Sequence, residues 1–156
     1  MRIGTWNLAG PWGEEHLASA MAASRGLTFC SSILPWRSCG NDPWVGARQV
    51  DKTEAATATL LESLPQTDLV WGGDWNHALT GREYVGTNAG RAHLAKAIDR
   101  LGLQVPTTGV AARHSQGLSI DHVAVPADRR VISAERLAAS NLSDHDAYVV
   151  EIADPA

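Results

Sequence analysis

Cysteine is scarce in this chain of 156 residues: only Cys30 and Cys39 are present. They lack zinc-like pairing and do not form a disulfide framework, so reduced thiols and a cytoplasmic setting are expected. No apolar run approaches the roughly 20 residues that a membrane span needs. Met1-Arg2-Ile3-Gly4-Thr5-Trp6-Asn7 also lacks the apolar stretch of a secretory leader. Basic charge is not in excess: 13 Lys and Arg against 17 Asp and Glu give a net charge of -4. No global field therefore attracts nucleic acid, and only a local basic groove would do so. Repeats, low-complexity segments and linkers are missing too, which implies one domain over residues 1–156. Phenylalanine is nearly absent, one residue against six tryptophans. Trp6, Trp71 and Trp75 fall in expected strands and read as core. Trp12, Trp36 and Trp44 neighbour Gly or Pro and are expected to pack under loops.

What is present suits a globular fold with a sizeable core: 44% hydrophobic and 19% charged residues. Arg2 to Leu8 alternates as a strand, Glu14 to Ser24 reads as a short helix, and Leu27 to Leu34 as a second strand ended by Pro35. Residues 35–46 form a loop rich in Gly, Pro and Trp. Ala47 to Leu64 has strong helix formers and is stopped by Pro65, and Gly90 to Leu101 carries apolar residues at helical spacing before Gly102. Further strands are expected at Asp68 to Asp74, Leu103 to Val105, Leu118 to Val125, Val131 to Leu137 (an edge) and Ala147 to Ile152.

The chemistry concentrates where these strands end. In Val70-Trp71-Gly72-Gly73-Asp74-Trp75-Asn76-His77 an apolar strand runs into polar groups, and alternation puts Asp74 and Asn76 on one face. A carboxylate and a carboxamide so placed can hold a water and a phosphate oxygen together. The plainer alternative is a strand followed by an Asx turn. Asn7, Asp121 with His122, and Asp144 with His145 occupy similar strand ends or adjoining loops. Each alone reads as a capped loop or a satisfied histidine. Gathered at one rim, carboxylates about 4 Å apart would repel by roughly 4 kcal/mol at an effective dielectric near 20, so a cation, a histidinium or a shared proton must hold them.

Taken in order, Thr5-Trp6-Asn7, Gly73-Asp74-Trp75-Asn76, Ile120-Asp121-His122-Val123 and Ser143-Asp144-His145 resemble the motifs of the endonuclease/exonuclease/phosphatase superfamily. That group includes exonuclease III-like and DNase I-like nucleases, sphingomyelinases and inositol phosphatases. The resemblance runs from residue 1 to about residue 152 and implies an α+β fold: two packed, mostly antiparallel β-sheets flanked by helices, a DNase I-like sandwich in truncated form. It implies a phosphoester substrate, nucleic acid among the candidates, and a Mg²⁺ or Mn²⁺ cofactor. It also implies roles. Asp144 helps bind the metal, with Asn7 counted beside it; Asp74 orients or deprotonates the attacking water; Asn76 and Asn7 hold phosphate oxygens or orient the metal ligands. His145 donates to the scissile phosphate, and Asp121 fixes its tautomer and favours its charge. His122, opposite Asp121 on the strand, is left to packing.

The chain departs from the family pattern in one segment. The metal-binding Glu that normally follows the Asn motif on a second strand has no counterpart, and Ser31-Ser32-Ile33-Leu34 resembles a later strand, as if the strands between were deleted. Glu14 and Glu15 are the only nearby acids, and both fit solvated first-turn positions. Two readings follow: a metal-dependent phosphodiesterase, nuclease or phosphatase, or a catalytically impaired remnant that binds phosphate or acts as a packing module. A serine nucleophile, Ser143 with His145, is disfavoured by the absence of a Gly-x-Ser-x-Gly elbow. Arg37, Arg48, Arg82 and Arg113 are the candidates for a local basic patch.

Overall fold

The structure, a computed structural model, describes residues 1–5, 20–24, 26–81, 85–110 and 119–154. The strands are β1 (Arg2–Thr5), β2 (Ala20–Ser24), β3 (Leu27–Ser31), β4 (Leu69–Asp74), β5 (Leu103–Gln104), β6 (Asp121–Pro126), β7 (Val131–Leu137) and β8 (Ala147–Ile152). The helices are α1 (Gln49–Ser63) and α2 (Asn88–Arg100), with a 3-10 turn at Pro106–Gly109. The strands form a five-stranded sheet, β2-β3-β4-β6-β5, and a three-stranded sheet, β1-β8-β7. Every pairing is antiparallel except β3 with β4, which the α1 crossover makes parallel. This is the expected sandwich.

β4 and β6 are buried along their whole lengths because both faces are covered. Alternation sorts their side chains between two cores. Leu69, Trp71 and Ala124 face the layer of α1 and α2, joining Leu60, Leu64, Leu94, Ala97 and Leu101. Val70, Val123 and Val125 face the small sheet, joining Ile3, Val150 and Ile152. Trp71 and Trp75 anchor the helical side with ring centroids 4.2 Å apart, an aromatic contact that contributes about 0.5–1.5 kcal/mol beyond its buried area. Trp71 Nε1 also donates to Ser32 Oγ at 2.8 Å, fixing the end of β3 beside β4.

Local rules explain most boundaries. Thr87 caps α2 by accepting from the Gly90 N–H at 2.9 Å, and Gly102, at φ 61°, stops it. The helix expected over Glu14 to Ser24 is corrected within its described part: Ala20–Ser24 is β2, paired antiparallel with β3. Ala-Met-Ala-Ala has helix propensity, but the Gly26 turn, at φ 75°, returns the chain as a hairpin, and ladder pairing outweighs propensity. Residues 14–19 lie outside the described residues, as do Trp6 and Trp12. Trp36 departs from its expected packing under a loop: it is 43% exposed. Cys30 and Cys39 are buried, and among the described residues they form no disulfide.

Candidate active site

The register of the large sheet creates the site. β4 and β6 run antiparallel with Asp74 directly opposite Asp121, two buried carboxylates on neighbouring strands. Like charges in that arrangement destabilise a sheet unless something offsets them. The offset arrives from a third part of the chain. His145, on the loop leading into β8, places Nδ1 2.7 Å from Asp121 Oδ2. One ligand-capable atom from each of Asp74, Asp121 and His145 falls within 4.8 Å of the others.

Backbone geometry holds each group. Gly73 sits at φ 134°, and a Cβ there would lie 1.9 Å from Ser32 O, so only glycine lets the end of β3 lie against β4. Trp75 N–H donates to Ile120 O at 2.9 Å and carries the pairing one residue past the strand. The chain then turns. Asn76 adopts φ 52°, and its N–H donates to Asp74 Oδ1 at 2.9 Å, an Asx turn. Its Nδ2 donates to Leu34 O at 2.9 Å, while Leu34 N–H donates to Asp74 O at the same distance. The Asx turn and the polar cluster weighed against each other in the sequence are therefore one structure. The turn bends Asn76 back over the Asp74 carboxylate instead of continuing the strand alternation.

On the opposite side, Ser143 Oγ accepts from the His145 N–H at 3.1 Å. Buried Asp146 closes the loop that carries His145: Oδ1 accepts from Ala139 N–H at 2.9 Å and Oδ2 from Arg136 Nη1 at 3.1 Å. Sequence reasoning passed over Asp146, although a second carboxylate immediately after His145 was a visible signal. It also missed the Leu34 carbonyl, which as a backbone group has no signature in residue type.

The electrostatics follow from these contacts. The hydrogen bond that His145 donates to Asp121, reinforced by nearby carboxylates, pushes the His145 pKa up to about 9, so the ring is a cation at neutral pH. Burial pushes Asp121 upward, partly countered by the His145 hydrogen bond. Asp144 is exposed at the rim, and its charge bears on both members of the pair. Asn7, Arg82 and Arg113 lie outside the described residues. Arg48 is committed to Asp51, at 2.7 Å, while Arg37 Nη2 donates to Gly86 O at 3.3 Å.

Behind the rim lies a neutral counterpart. His122 is fully buried, with Nε2 2.9 Å from His77 O and Nδ1 3.3 Å from Thr107 Oγ1. Desolvation pushes its pKa down to about 4, so it is a neutral ring that bonds through Nε2–H. His77 packs against the 85–90 segment, where a Cβ at Gly86 would come within 2.3 Å of its ring.

A divalent cation suits the donors on the rim. Among the described residues, Asp121 Oδ1 is buried with no hydrogen-bond partner, and three carboxylates act on the same place. Mg²⁺ takes oxygen ligands and keeps several waters, which an open carboxylate rim allows. His145 is not an oxygen ligand, and its Nδ1 is already engaged with Asp121.

A two-sheet sandwich with a carboxylate–histidine cluster at one rim defines a DNase I-like class of protein. The profile of the Endonuclease/Exonuclease/phosphatase family matches residues 5–145, and the chain belongs to that family. Among solved structures, the fold is similar to a 3'-5' exonuclease of Neisseria meningitidis, at 18% identity and TM-score 0.59, over 85% of this chain and 63% of that one. A Neisseria 3' phosphatase bound to a product DNA hairpin is similar at 17% identity and TM-score 0.60, over 86% and 64%. An AP endonuclease of Leishmania major is similar at 14% identity and TM-score 0.59, over 99% and 62%. The chain thus spans less than two thirds of the length of each of these structures. No curated protein sequence matches it. Among the described residues, no helix is long and apolar enough to cross a membrane.

Proposed function

We propose that this chain is a divalent-metal-dependent phosphoester hydrolase acting on a phosphodiester or phosphomonoester, with nucleic acid the favoured substrate class. One observation carries the reading. Asp74, Asp121 and His145, drawn from three separate regions of sequence, meet within 4.8 Å at one rim, with the histidine held as a cation by a buried carboxylate. Family membership supports phosphoester chemistry, and the DNA-directed activities of the similar structures support nucleic acid.

In this reading Asp74 accepts a proton from the attacking water as its oxygen bonds to phosphorus. The bond from phosphorus to the leaving oxygen breaks, and that oxygen takes its proton from solvent. His145 donates a hydrogen bond from Nε2–H to a non-bridging phosphate oxygen, where negative charge accumulates in the transition state. Asp121 keeps Nδ1 protonated and the ring oriented. Asn76 spends one amide hydrogen on Leu34 O, and its amide would position a phosphate oxygen or the water. Asp144, with Asn7, would hold Mg²⁺ or Mn²⁺, which supplies Lewis-acid stabilisation of phosphate charge.

A second reading rests on a specific departure. The sequence has no counterpart of the family's metal-binding Glu segment, and the chain covers only 62% to 64% of the similar structures. A rim that has lost a ligand describes an impaired remnant that binds phosphate weakly or serves as a packing module. Titration of the purified chain with Mg²⁺ and Mn²⁺, against a generic phosphodiester and abasic DNA, separates the two. The hydrolase reading expects metal-dependent turnover that His145→Ala abolishes. Absence of turnover, or turnover indifferent to His145→Ala, leaves the remnant.

A further inference from the structure

The loop that follows β3 is held with unusual investment. Lys52, one of two lysines in the chain, is buried at 4% exposure on α1. Its ammonium donates to Cys39 O at 3.0 Å and to Gly40 O at 2.8 Å. Gln49, also buried on α1, donates from Nε2 to Pro35 O at 3.0 Å. The loop closes on itself through Cys39 N–H to Trp36 O at 3.2 Å. Burying an ammonium is unfavourable unless its protons are satisfied, and here that satisfaction fixes the backbone of residues 35–40. Pro35 and Cys39 turn inward, whereas Trp36 turns out and remains 43% exposed. Tryptophan is highly buried on average. Among the described residues, Trp36 is the only aromatic side chain among the exposed large hydrophobics.

The position of this platform gives it meaning. Leu34, two residues before Trp36, is bonded to both Asp74 and Asn76. Two extended residues span at most about 7 Å, so the Trp36 backbone lies close to the Asn76 turn. Arg37, next to it, reaches Gly86 O on the 85–87 segment, which packs over His77 immediately after that turn. The rigid loop therefore stands at the edge of the rim where the phosphate is handled.

We infer that Trp36 is a stacking platform for an unpaired nucleobase adjacent to the phosphate held at the Asp74–Asn76 turn, making single-stranded or locally unstacked nucleic acid the substrate class. This rests on the phosphoester reading for what lies beside the base, but not for the stacking itself. An indole face on a pre-fixed loop loses little conformational freedom on binding. A base in a duplex is already stacked on both sides, so an exposed indole selects bases that are not. Stacking on an indole face does not itself depend on charge, so it is compatible with a chain of net charge -4.

The test is equilibrium binding of the full chain to a labelled short oligodeoxynucleotide, read by fluorescence anisotropy in EDTA so that turnover plays no part. Trp36→Ala is expected to weaken binding by about 5- to 150-fold, the loss of one base–aromatic stack. Trp36→Phe should remain within about threefold of wild type, because it keeps an aromatic face. A base-free tetrahydrofuran oligomer should bind wild type and Trp36→Ala equally, and circular dichroism melting should be unchanged. The inference is overturned if Trp36→Ala binds the oligonucleotide as wild type does, or if the loss is equal on the base-free oligomer. It is also overturned if the loss appears only on vesicles of equal parts phosphatidylserine and phosphatidylcholine. Failure of the wild type to bind any oligonucleotide sinks it too, while Mn²⁺-dependent turnover of a generic phosphodiester would keep the hydrolase reading intact. Trp36-dependent binding without turnover has the opposite meaning: the stack stands and the hydrolase reading falls.

Discussion

Two histidine environments lie back to back across β6. On the rim, His145 meets Asp121, with Asp74 and Asp144 bearing on it, and its pKa rises to about 9. One residue along the strand from Asp121, His122 points into the core against Trp75, His77 and Thr107, and its pKa falls to about 4. The same side chain becomes a fixed cation in one place and a fixed neutral ring in the other. The pleat of a single strand decides which, because it sends Asp121 to one face and His122 to the other. Chemistry follows the carboxylate: a buried imidazole with only carbonyls and hydroxyls for partners is an element of structure, whereas one paired to a buried carboxylate is poised to donate.

The sharpest way to break this contrast is to remove each ring in turn. His145→Ala should reduce phosphoester turnover by about 100- to 1,000-fold, the usual span for loss of one hydrogen-bond donor to developing charge, and should also lower the melting temperature, since Asp74 and Asp121 then face each other without the cation that offsets them. His122→Ala should act on stability alone. Loss of a fully buried ring, with the His77 carbonyl left unsatisfied, should cost about 2–4 kcal/mol of stability, and turnover per folded molecule should fall far less than in His145→Ala. Denaturant titration paired with steady-state kinetics reads both. Equal kinetic losses would mean that the core histidine is part of the chemistry.

Next in size is the loop closure. Asp146→Ala should lower stability by about 1–3 kcal/mol, because it strands the Ala139 N–H and the Arg136 guanidinium. Turnover should fall as well, because the loop it closes carries His145. An unchanged kcat would show that Ser143 and Asp121 hold the imidazole in place without that closure.

Much of this arrangement was legible in the sequence, and the part that was not has a physical reason. The strands bearing Asp74 and Asp121, and both helices, announced themselves through periodicity and through Pro65 and Gly102. The sandwich architecture came from the order of the motifs. Local pattern could not reveal that Ala20–Ser24 pairs as β2, since alanine favours a helix until a neighbouring strand offers a ladder. Nor could it reveal that Asp74 and Asp121 stand directly opposite each other, because register is a property of two strands together. Asn76 was read as sharing a strand face with Asp74. Its φ of 52° instead folds it onto that carboxylate, which residue type permits but does not dictate. Trp36 is expected beneath a loop from its place beside Pro35, and the anchoring by Lys52 and Gln49, which lies between distant segments, is what fixes the loop with its indole outside.

Asp121→Asn tests the cause of the contrast directly. Without the carboxylate, His145 loses the largest contribution to its upward shift. Its pKa should fall from about 9 toward 6.5, whereas His122, which has no contact with that carboxylate, should stay near 4. Proton NMR titration of the imidazole resonances follows both rings in one experiment. If His145 stayed high, Asp74 and Asp144 would be the true source of its charge.

The dependence of stability on pH divides the two rings by sign. A histidine whose pKa is higher in the fold than in the unfolded chain stabilises the protein fully below about pH 6.5, and that contribution is lost as pH rises through about 9; this is His145. A histidine held neutral behaves oppositely. Between about pH 6.5 and 4 the unfolded chain binds a proton that buried His122 refuses, so stability declines as pH falls through that window. Burial lowers His77 as well, which adds to the same acid-side decline. Carboxylates titrate there too, so the informative quantity is the difference between wild type and variant at each pH. His145→Gln should flatten the alkaline limb of thermal stability and leave the acid limb intact. His122→Gln, destabilised throughout, should narrow its deficit as pH falls from about 6.5 to 4, because wild type then loses the advantage of its neutral ring. Parallel curves for both variants would mean that neither ring holds the charge state its surroundings impose.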